Sequence, residues 1–279
     1  MEGTIRIAFY GKGGIGKSTV AADVSYCLSR MGLKVLHIGC DPKSDSTRSL
    51  MKKKIPTVLD MINEKGVLLT REDIVHESPY GISCIEAGGP RAGVGCAGVG
   101  ITASQDALEK TGILKENWDA IIYDVLGDVV CGGFAVPMKK HYVDRVYIVT
   151  STAYMSFYAA NNILRCVENC CDGGYRMAGG LVINHVQGEE DIRLAGIFSD
   201  MVGTGICGCI NESTEIKRAD YMKTPVSAFA PDCEASLRIS EISEKIYQQR
   251  DGYVPSPLSD EEMELLGEKI LSFETGENR

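Results

Sequence analysis

The sequence is rich in cysteine but lacks the short cysteine motifs that build a metal site within one segment. Its 279 residues contain no C-x-x-C pair and no ferredoxin-like C-x₂-C-x₂-C run. This absence excludes a complete metal site from one local motif. In a reducing compartment we expect most of the thiols to be small buried hydrophobic groups rather than disulfides. The 11 cysteines are at positions 27, 40, 84, 96, 131, 166, 170, 171, 207, 209 and 233.

Long apolar runs, a leader and an excess of positive charge are also missing. No window approaches the roughly 18 consecutive apolar residues of a membrane span. The N-terminus shows no basic region followed by a cleavage site, so we expect a cytoplasmic protein. The net charge of −9 and pI of about 5.1 argue against nucleic acid or an anionic membrane as a partner.

Because no repeat, low-complexity stretch or linker divides the chain, we predict one domain over residues 1–279, with a helical tail from about residue 255. Apolar, β-branched runs alternate with helical patterns. This alternation predicts an α/β fold whose mostly parallel sheet is covered by helices on both faces, with ligands beyond the carboxyl ends of the strands. Strands are predicted at Ile5–Tyr10, Lys34–Gly39, Ile82–Glu86, Ala120–Asp124, Arg145–Thr150, Gly180–Asn184 and Val226–Ala230. Helices are predicted at Lys17–Met31, Thr102–Thr111, Tyr154–Cys170, Glu190–Met201, Glu212–Met222 and Glu234–Gln249, and a last one begins with a capping box of Ser259 and Glu262.

The first strand runs directly into G-K-G-G-I-G-K-S, a P-loop, which predicts a P-loop NTPase. Its glycines let backbone N–H groups surround phosphate oxygens, while Lys17 reaches the terminal phosphates and Ser18 offers its hydroxyl to Mg²⁺. An ordinary P-loop does not need Lys12. That lysine either serves a nucleotide across a dimer interface or is solvated. The predicted nucleotide-binding residues of the loop are Gly11, Lys12, Gly13, Gly14, Ile15, Gly16, Lys17, Ser18 and Thr19.

Two acidic pairs follow predicted strands, Asp41 with Asp45 and Asp124 with Asp128. Carboxylates at strand ends beside a P-loop suit Mg²⁺ or the orientation of an attacking water. We assign Asp124 to the metal side and Asp41 to water activation or Mg²⁺. The alternative for Asp45 is a helix cap. Both pairs lie in loops that can respond to a γ-phosphate.

Cys96 and Cys131 stand apart from the other cysteines because both lie in glycine-rich turns that enter predicted helices. Free N–H groups in such turns stabilise thiolates and an anionic cluster. Two such cysteines are half of a Cys₄ site, which a two-fold dimer would complete. The alternative is two buried thiols. Cys207 and Cys209 could bind metal, but alternation along a strand explains their spacing more simply.

Together the motifs resemble the nitrogenase iron protein family from Ile5 to about Asp220. The resemblance implies a homodimer that bridges one 4Fe–4S cluster through Cys96 and Cys131 of each subunit. It also implies MgATP at the P-loop, with Lys12 acting across the interface and with Asn184 and Asp220 near the adenosine. Members of this family pass electrons to a nitrogenase-like catalytic component and receive them from a ferredoxin or flavodoxin. The motifs are GKGGIGKST at 11–19, GCDPKSDST at 39–47, EAGGP at 86–90, GVGCAG at 93–98, YDVLGDVVCGGFA at 123–135 and YAANN at 158–162.

Several positions depart from the nitrogenase pattern. Val99 stands where those proteins carry a docking arginine that is also the site of regulatory ADP-ribosylation, and Lys139 replaces a second docking arginine. Lysine does not reproduce the guanidinium fork. Residues 210–213, I-N-E-S, replace an expected P-R-D. The partner is therefore either nitrogenase or a reductase of tetrapyrroles, nickel tetrapyrroles or sulfur compounds.

We expect ATP-gated one-electron transfer with low intrinsic ATPase activity. Two other classes of protein share the P-loop. A partition or division-site ATPase needs neither cluster cysteine and usually carries a basic face or a membrane-binding tail. An iron–sulfur carrier places a close cysteine pair near its C-terminus.

Overall fold

A single eight-stranded sheet forms the centre of the computed structural model, which describes residues 3–89, 97–127, 135–139, 142–170 and 175–275. The strand order is β3-β4-β2-β5-β1-β6-β7-β8, and every pairing is parallel except that of β3 with β4. All six residues of β2 and of β5 are buried, as expected for strands with helices on both faces. The strands are β1 (Ile5–Tyr10), β2 (Val35–Cys40), β3 (His76–Glu77), β4 (Ser83–Glu86), β5 (Ala120–Val125), β6 (Arg145–Thr150), β7 (Ala178–Val186) and β8 (Ile206–Asn211).

Helices cover both faces of the sheet and create two apolar cores. Along β1, Ile7 and Phe9 point to one core and Ala8 and Tyr10 to the other, because side chains alternate along a strand. Helices α1, α10 and α11 pack on the first face, and α5, α7, α8 and α12 pack on the second. The helices are α1 (Lys17–Arg30), α2 (Arg48–Met51), α3 (Val58–Lys65), α4 (Arg71–Ile74), α5 (Ala97–Lys110), α6 (Val136–Lys139), α7 (Tyr154–Cys170), α8 (Glu189–Met201), α9 (Thr214–Tyr221), α10 (Val226–Phe229), α11 (Glu234–Gln248) and α12 (Asp260–Thr275).

The predicted strand at Val226–Ala230 is wrong, because this segment forms helix α10. Pro225 precedes the helix, where its fixed φ suits a helix start. The buried Asp23 carboxylate of α1 accepts a hydrogen bond from the Ser227 N–H at 2.8 Å, and so satisfies one free donor of the first turn. Tertiary contacts therefore override the apolar character that suggested a strand. The last strand of the sheet, β8, lies upstream of this segment and is not among the seven predicted strands.

The predicted capping box at the last helix is confirmed. The Ser259 hydroxyl accepts from the Glu262 N–H at 3.2 Å, while the Glu262 carboxylate accepts from the Ser259 N–H at 2.7 Å. Helix α12 then packs on α7 and α8 through Met263 and Leu266. Within the described ranges, no helix has both the length and the apolar character needed to cross a membrane.

Candidate nucleotide-binding site

The P-loop joins the end of β1 to the start of α1, at the carboxyl edge of the sheet. Gly16, directly before α1, has a φ of 87°, which glycine adopts without strain. A Cβ atom there would overlap the side chain of Asn184, whose Nδ2 donates to the Ile15 carbonyl oxygen at 2.8 Å. The loop is therefore held against β7 at the N-terminus of the 14-residue helix α1, where the helix dipole favours anions.

Lys17 and Asp124 form a buried ion pair at the base of the loop. The Lys17 ammonium donates to Asp124 Oδ1, and the two side chains are 7% and 0% exposed. Burial by itself would raise the pKa of Asp124. The positive charge of Lys17 and hydrogen bonds from Lys17 and Ser46 outweigh burial and hold that pKa below its usual value. Asp124 is therefore an ionised carboxylate on β5, opposite Phe9 of the P-loop strand.

Two buried carboxylates anchor residues 41–47, which follow β2 and which we call the post-β2 segment. Ser46 Oγ donates to Asp124 Oδ2 at 2.5 Å. Thr47 donates to Glu86 Oε1 from its backbone N at 2.7 Å and from its hydroxyl at 2.8 Å. The end of the segment therefore binds to the carboxyl ends of both strands that flank β2, namely β5 and β4.

Glu86 is only partly satisfied in this arrangement. Its Oε2 is buried and has no hydrogen-bond partner within the part of the chain that the structure describes. Burial raises the pKa of Glu86 to about 7, although the hydrogen bonds from Thr47 oppose the shift. Gly39 lies between Glu86 and Asp124 in the sheet register, and a Cβ atom there would overlap Glu86 Oε2 and the Ser46 side chain. The space left by Gly39 thus lets the post-β2 segment pack between the two carboxylates.

A second layer of buried polar side chains supports Ser46. The ring of His37, on β2, places Nε2 at 2.9 Å from Ser46 Oγ and Nδ1 at 2.8 Å from Ser25 Oγ of α1. Burial lowers the pKa of His37 to about 4 against the opposing charge of Asp124, so the ring is neutral at neutral pH. A continuous chain of polar contacts therefore runs from helix α1 through His37 to Asp124.

Two cavities flank the start of α1. One, of about 170 Å³, is lined by both residues predicted to lie near the adenosine, Asn184 and Asp220. The other, of about 440 Å³, is lined by Ser18, Asp45 and Ser46, and it reaches Asp220 from the opposite side. The predicted Mg²⁺ ligand Ser18 and the predicted switch residue Asp45 thus face one shared space.

The other predicted residues are less tightly held. Asp41 is buried, and its Oδ1 accepts from the Lys43 N–H at 2.8 Å, which shapes the turn of the post-β2 segment. Asp45 is exposed to solvent on one side. The protein atoms around its carboxyl group partly exclude water and, together with the negative charge of Asp41, raise its pKa. Lys12 is exposed at the start of the P-loop. Three predicted site residues lie outside the described residues: Cys96, Asp128 and Cys131.

Alternation along β8 separates the cysteines of the C-x-C pair. Cys207 is buried in the core that contains α1 and α11, whereas Cys209 packs against the core on the opposite face. Burial raises the pKa of Cys207 to about 11, so its thiol is protonated at neutral pH. The two sulfur atoms therefore cannot chelate one metal ion as they stand, and the simpler explanation from strand alternation is confirmed.

Sequence reasoning missed Glu86, Thr47, His37 and Ser25. A signal was present for two of them, because Glu86 and His37 are titratable residues in otherwise apolar strands, I-S-C-I-E and V-L-H-I-G. Buried titratable groups need partners. Nothing in the sequence identifies those partners, since Ser25 lies on α1 and Thr47 follows the turn.

The residues around the P-loop fit MgATP. The start of α1 supplies N–H donors and a favourable dipole for phosphate, and Lys17 supplies a positive charge. The Ser18 hydroxyl and the carboxylates of Asp45 and Asp124 are oxygen donors of the kind that Mg²⁺ prefers. The 170 Å³ cavity adds a mixed polar and apolar wall beside the loop.

Solved structures confirm the P-loop NTPase fold. The septum site-determining protein MinD complexed with Mg-ADP from Pyrococcus horikoshii OT3 is similar at a TM-score of 0.70 and 17% identity, over 88% of this chain and 96% of that chain. A ParA family ATPase from Chlorobium tepidum TLS is similar at a TM-score of 0.69 and 18% identity, over 88% of this chain and 99% of that chain. Identities this low establish the shared fold alone.

Sequence relatives are much closer. The nitrogenase iron protein of Methanospirillum hungatei JF-1 is 46% identical over 270 residues, which are 95% of this chain and 96% of the relative. Nitrogenase iron protein 2 of Methanothermococcus thermolithotrophicus is 41% identical over 280 residues, with the same two coverages, 95% and 96%. These matches confirm the predicted family, its 4Fe–4S and MgATP cofactors, and the class of ATP-dependent oxidoreductase component. The model of one family matches residues 5–272, so the chain belongs to the 4Fe-4S iron sulfur cluster binding proteins of the NifH/frxC family.

Proposed function

We propose that the protein is the electron-transfer component of a nitrogenase-type or nitrogenase-like reductase. It works as a homodimer and passes single electrons from one 4Fe–4S cluster to a catalytic partner, at the expense of MgATP. A ferredoxin or flavodoxin supplies the electrons. One observation carries the proposal: Asp124, which pairs with the P-loop Lys17, lies seven positions before Cys131. The group that responds to nucleotide and a proposed cluster ligand therefore share one short segment.

On the nucleotide side, the chain binds phosphate and reorganises its own contacts. Lys17 moves from Asp124 to the terminal phosphates, since one ammonium cannot remain fully bound to both. Asp124 then faces Mg²⁺ or its water ligands, beside Ser18. Asp41, Asp45 and Asp128 are the candidates that orient the attacking water, and Lys12 acts on the nucleotide of the other subunit.

On the cluster side, we assign Cys96 and Cys131 as the ligands from each subunit. Cys96 directly precedes α5 and Cys131 follows β5, so both segments continue from the carboxyl edge that also carries the P-loop. A two-fold axis presents each cysteine twice and completes a Cys₄ set. When bound, the cluster supplies a one-electron couple and MgATP supplies a hydrolysable phosphoanhydride.

The partner is the least constrained part of the proposal. Val99, in the first turn of α5, is 69% exposed and presents an apolar side chain where an arginine is expected in nitrogenase iron proteins. An apolar docking position together with Lys139 favours a partner surface that does not rely on bidentate contacts to guanidinium. ADP-ribosylation at Val99 is excluded by its side chain. The relatives named above support a nitrogenase-type partner.

Anaerobic purification with iron analysis and EPR of the reduced protein tests the cluster assignment. We expect about four irons per dimer in the wild type and their loss in Cys96→Ala and Cys131→Ala. Cys209→Ala is the matched control, because this half-buried thiol belongs to the C-x-C pair with Cys207, which in this chain most nearly resembles the close cysteine pair of a carrier. If Cys209→Ala loses iron while Cys96→Ala retains it, the chain is a carrier of the other class and the proposal fails.

Capture of a partner under ADP–aluminium fluoride tests the coupling. A nitrogenase-like catalytic component should be retained with the wild type and lost with Cys131→Ala. ATPase activity should be low without that component and should rise on its addition. Full ATPase activity of the isolated dimer would contradict coupled transfer.

A further inference from the structure

The polar chain that ends on Asp124 is unusual because it passes through a fully buried histidine. His37 is 0% exposed, and so is Ser25, its neighbour on α1. Ser46, 2% exposed, connects the ring to Asp124. A buried polar group that lacks a hydrogen bond destabilises the fold. Each proton in this row of buried polar side chains must therefore lie between a donor and an acceptor.

Counting protons along the chain assigns the tautomer of His37. The ionised Asp124 can only accept, so the single Ser46 hydroxyl proton is donated to Asp124 Oδ2. Ser46 Oγ must then accept from His37, which puts the ring proton on Nε2. Because the ring is neutral, Nδ1 accepts the proton of the Ser25 hydroxyl. Ser25 Oγ also donates to the Ala21 carbonyl oxygen at 2.9 Å, so its one proton is shared between the two acceptors.

These hydrogen-bonded side chains affect how Asp124 is held when MgATP binds. Among the described residues, Asp124 is held by Lys17 on Oδ1, by Ser46 on Oδ2 and by a side-chain hydrogen bond from Ser18. A P-loop lysine is drawn to the phosphates, which removes the first of these contacts. Because the Ser18 hydroxyl is assigned to Mg²⁺, Ser46 is the remaining one of these three side chains that holds the carboxylate toward the metal. The Nε2–H of His37 fixes the Ser46 hydroxyl and strengthens its bond to Asp124, because hydrogen bonds in a chain polarise one another.

We propose that His37 is a positioning residue for the magnesium side of the nucleotide site: its Nε2–H holds Ser46 on Asp124 while Lys17 binds phosphate. The inference rests on the proposed function only in that the P-loop binds MgATP. It assigns a role within the chemistry of the site to a histidine that lies outside the P-loop and both acidic pairs. His37 touches neither nucleotide nor metal and acts only through Ser46.

The test compares ATP affinity with and without magnesium, by calorimetry on the intact holoprotein under anaerobic conditions. His37→Leu should raise the Kd for MgATP about fivefold to tenfold, the effect of one buried hydrogen bond. It should leave the Kd for ATP in EDTA unchanged. His37→Gln should recover most of the MgATP affinity, because its amide nitrogen can donate to Ser46. A merely structural role would change both affinities together and would not be rescued.

Two further variants keep the test decisive if His37→Leu folds poorly. Ser25→Ala frees Nδ1 and should give a smaller loss of MgATP affinity, about twofold to fivefold, because the ring is no longer oriented. His76→Leu is the matched control, since His76 lies on the edge strand β3 and its buried Nε2 has no hydrogen-bond partner in the described structure. It should leave both affinities unchanged.

Nitrogen NMR of the histidine rings reports the tautomer directly. The inference requires a neutral His37 with its proton on Nε2, assigned by the loss of that signal in His37→Gln. A proton on Nδ1, or equal loss of both affinities in His37→Leu, overturns the inference. Failure of the wild type to bind MgATP would instead refute the proposed function, so the two failures are distinguishable.

Discussion

Glu86→Gln is the change whose effect on stability is best defined by the structure. The Glu86 carboxyl is 1% exposed, and its Oε1 accepts both hydrogen bonds from Thr47. A glutamine keeps that acceptor and nearly the same shape beside Gly39. The substitution therefore removes the ionisation of residue 86 and little else.

The magnitude follows from the pKa of Glu86, about 7 in the folded protein against an ordinary value of 4.5. Between these two values the folded state binds more protons than the unfolded state. The free energy of unfolding therefore falls as pH rises through this window, and the loss is complete above pH 7. Integration gives a loss of about 2–3 kcal/mol between pH 5 and pH 8.

Urea unfolding of wild type and Glu86→Gln across pH 5 to 8 measures this difference. We expect the stability of Glu86→Gln relative to the wild type to rise by about 2–3 kcal/mol from the acid to the alkaline end. Asp23, whose pKa burial raises to about 6, contributes in the same direction but is present in both proteins and cancels. Glu64→Gln, exposed on α3, is the matched control and should give a profile parallel to the wild type. A constant difference between wild type and Glu86→Gln at all pH values would refute the reasoning.

Two other substitutions distinguish effects on the nucleotide site from effects on the apolar core. Lys17→Met leaves the buried Asp124 without its cation, and it should destabilise the protein by about 3–5 kcal/mol; calorimetry should also show that MgATP binding is lost. Phe157→Ala removes a ring stacked on Phe198 at 4.3 Å between centroids, both fully buried. Urea unfolding should show a loss of about 3–5 kcal/mol, while the folded fraction keeps its MgATP affinity, and a matching loss of affinity would mean that the two regions are coupled.

The central strands and the P-loop could be predicted because their determinants are local. The apolar run before Gly11 and the lysine and serine after Gly16 specify strand, loop and helix within a few residues. The location of the site at the carboxyl edge follows from the rule for parallel sheets. The same rule predicts that Asp124 lies near the P-loop. The register that puts it opposite Phe9 required the structure.

The failures have a different physical origin, since they depend on contacts far apart in the chain. Val226 looks like a strand residue, and the helix that begins there is stabilised by the Asp23 carboxylate, which accepts from the Ser227 N–H 204 positions away. His37 and Glu86 are inconspicuous in sequence for the same reason. Their partners come from other elements, and no periodicity records a hydrogen bond between elements.

The close packing over Gly39 couples movements of the post-β2 segment to the two strands beside β2. The post-β2 segment packs over this glycine and donates hydrogen bonds to one carboxylate on each neighbouring strand. Cys96 follows Glu86 by ten positions, and Cys131 follows Asp124 by seven. One displacement of the post-β2 segment therefore acts on the carboxyl ends of both flanking strands at once. On the cluster assignment proposed above, each ligand position follows one of these two strands, so we expect nucleotide binding to act on both positions together.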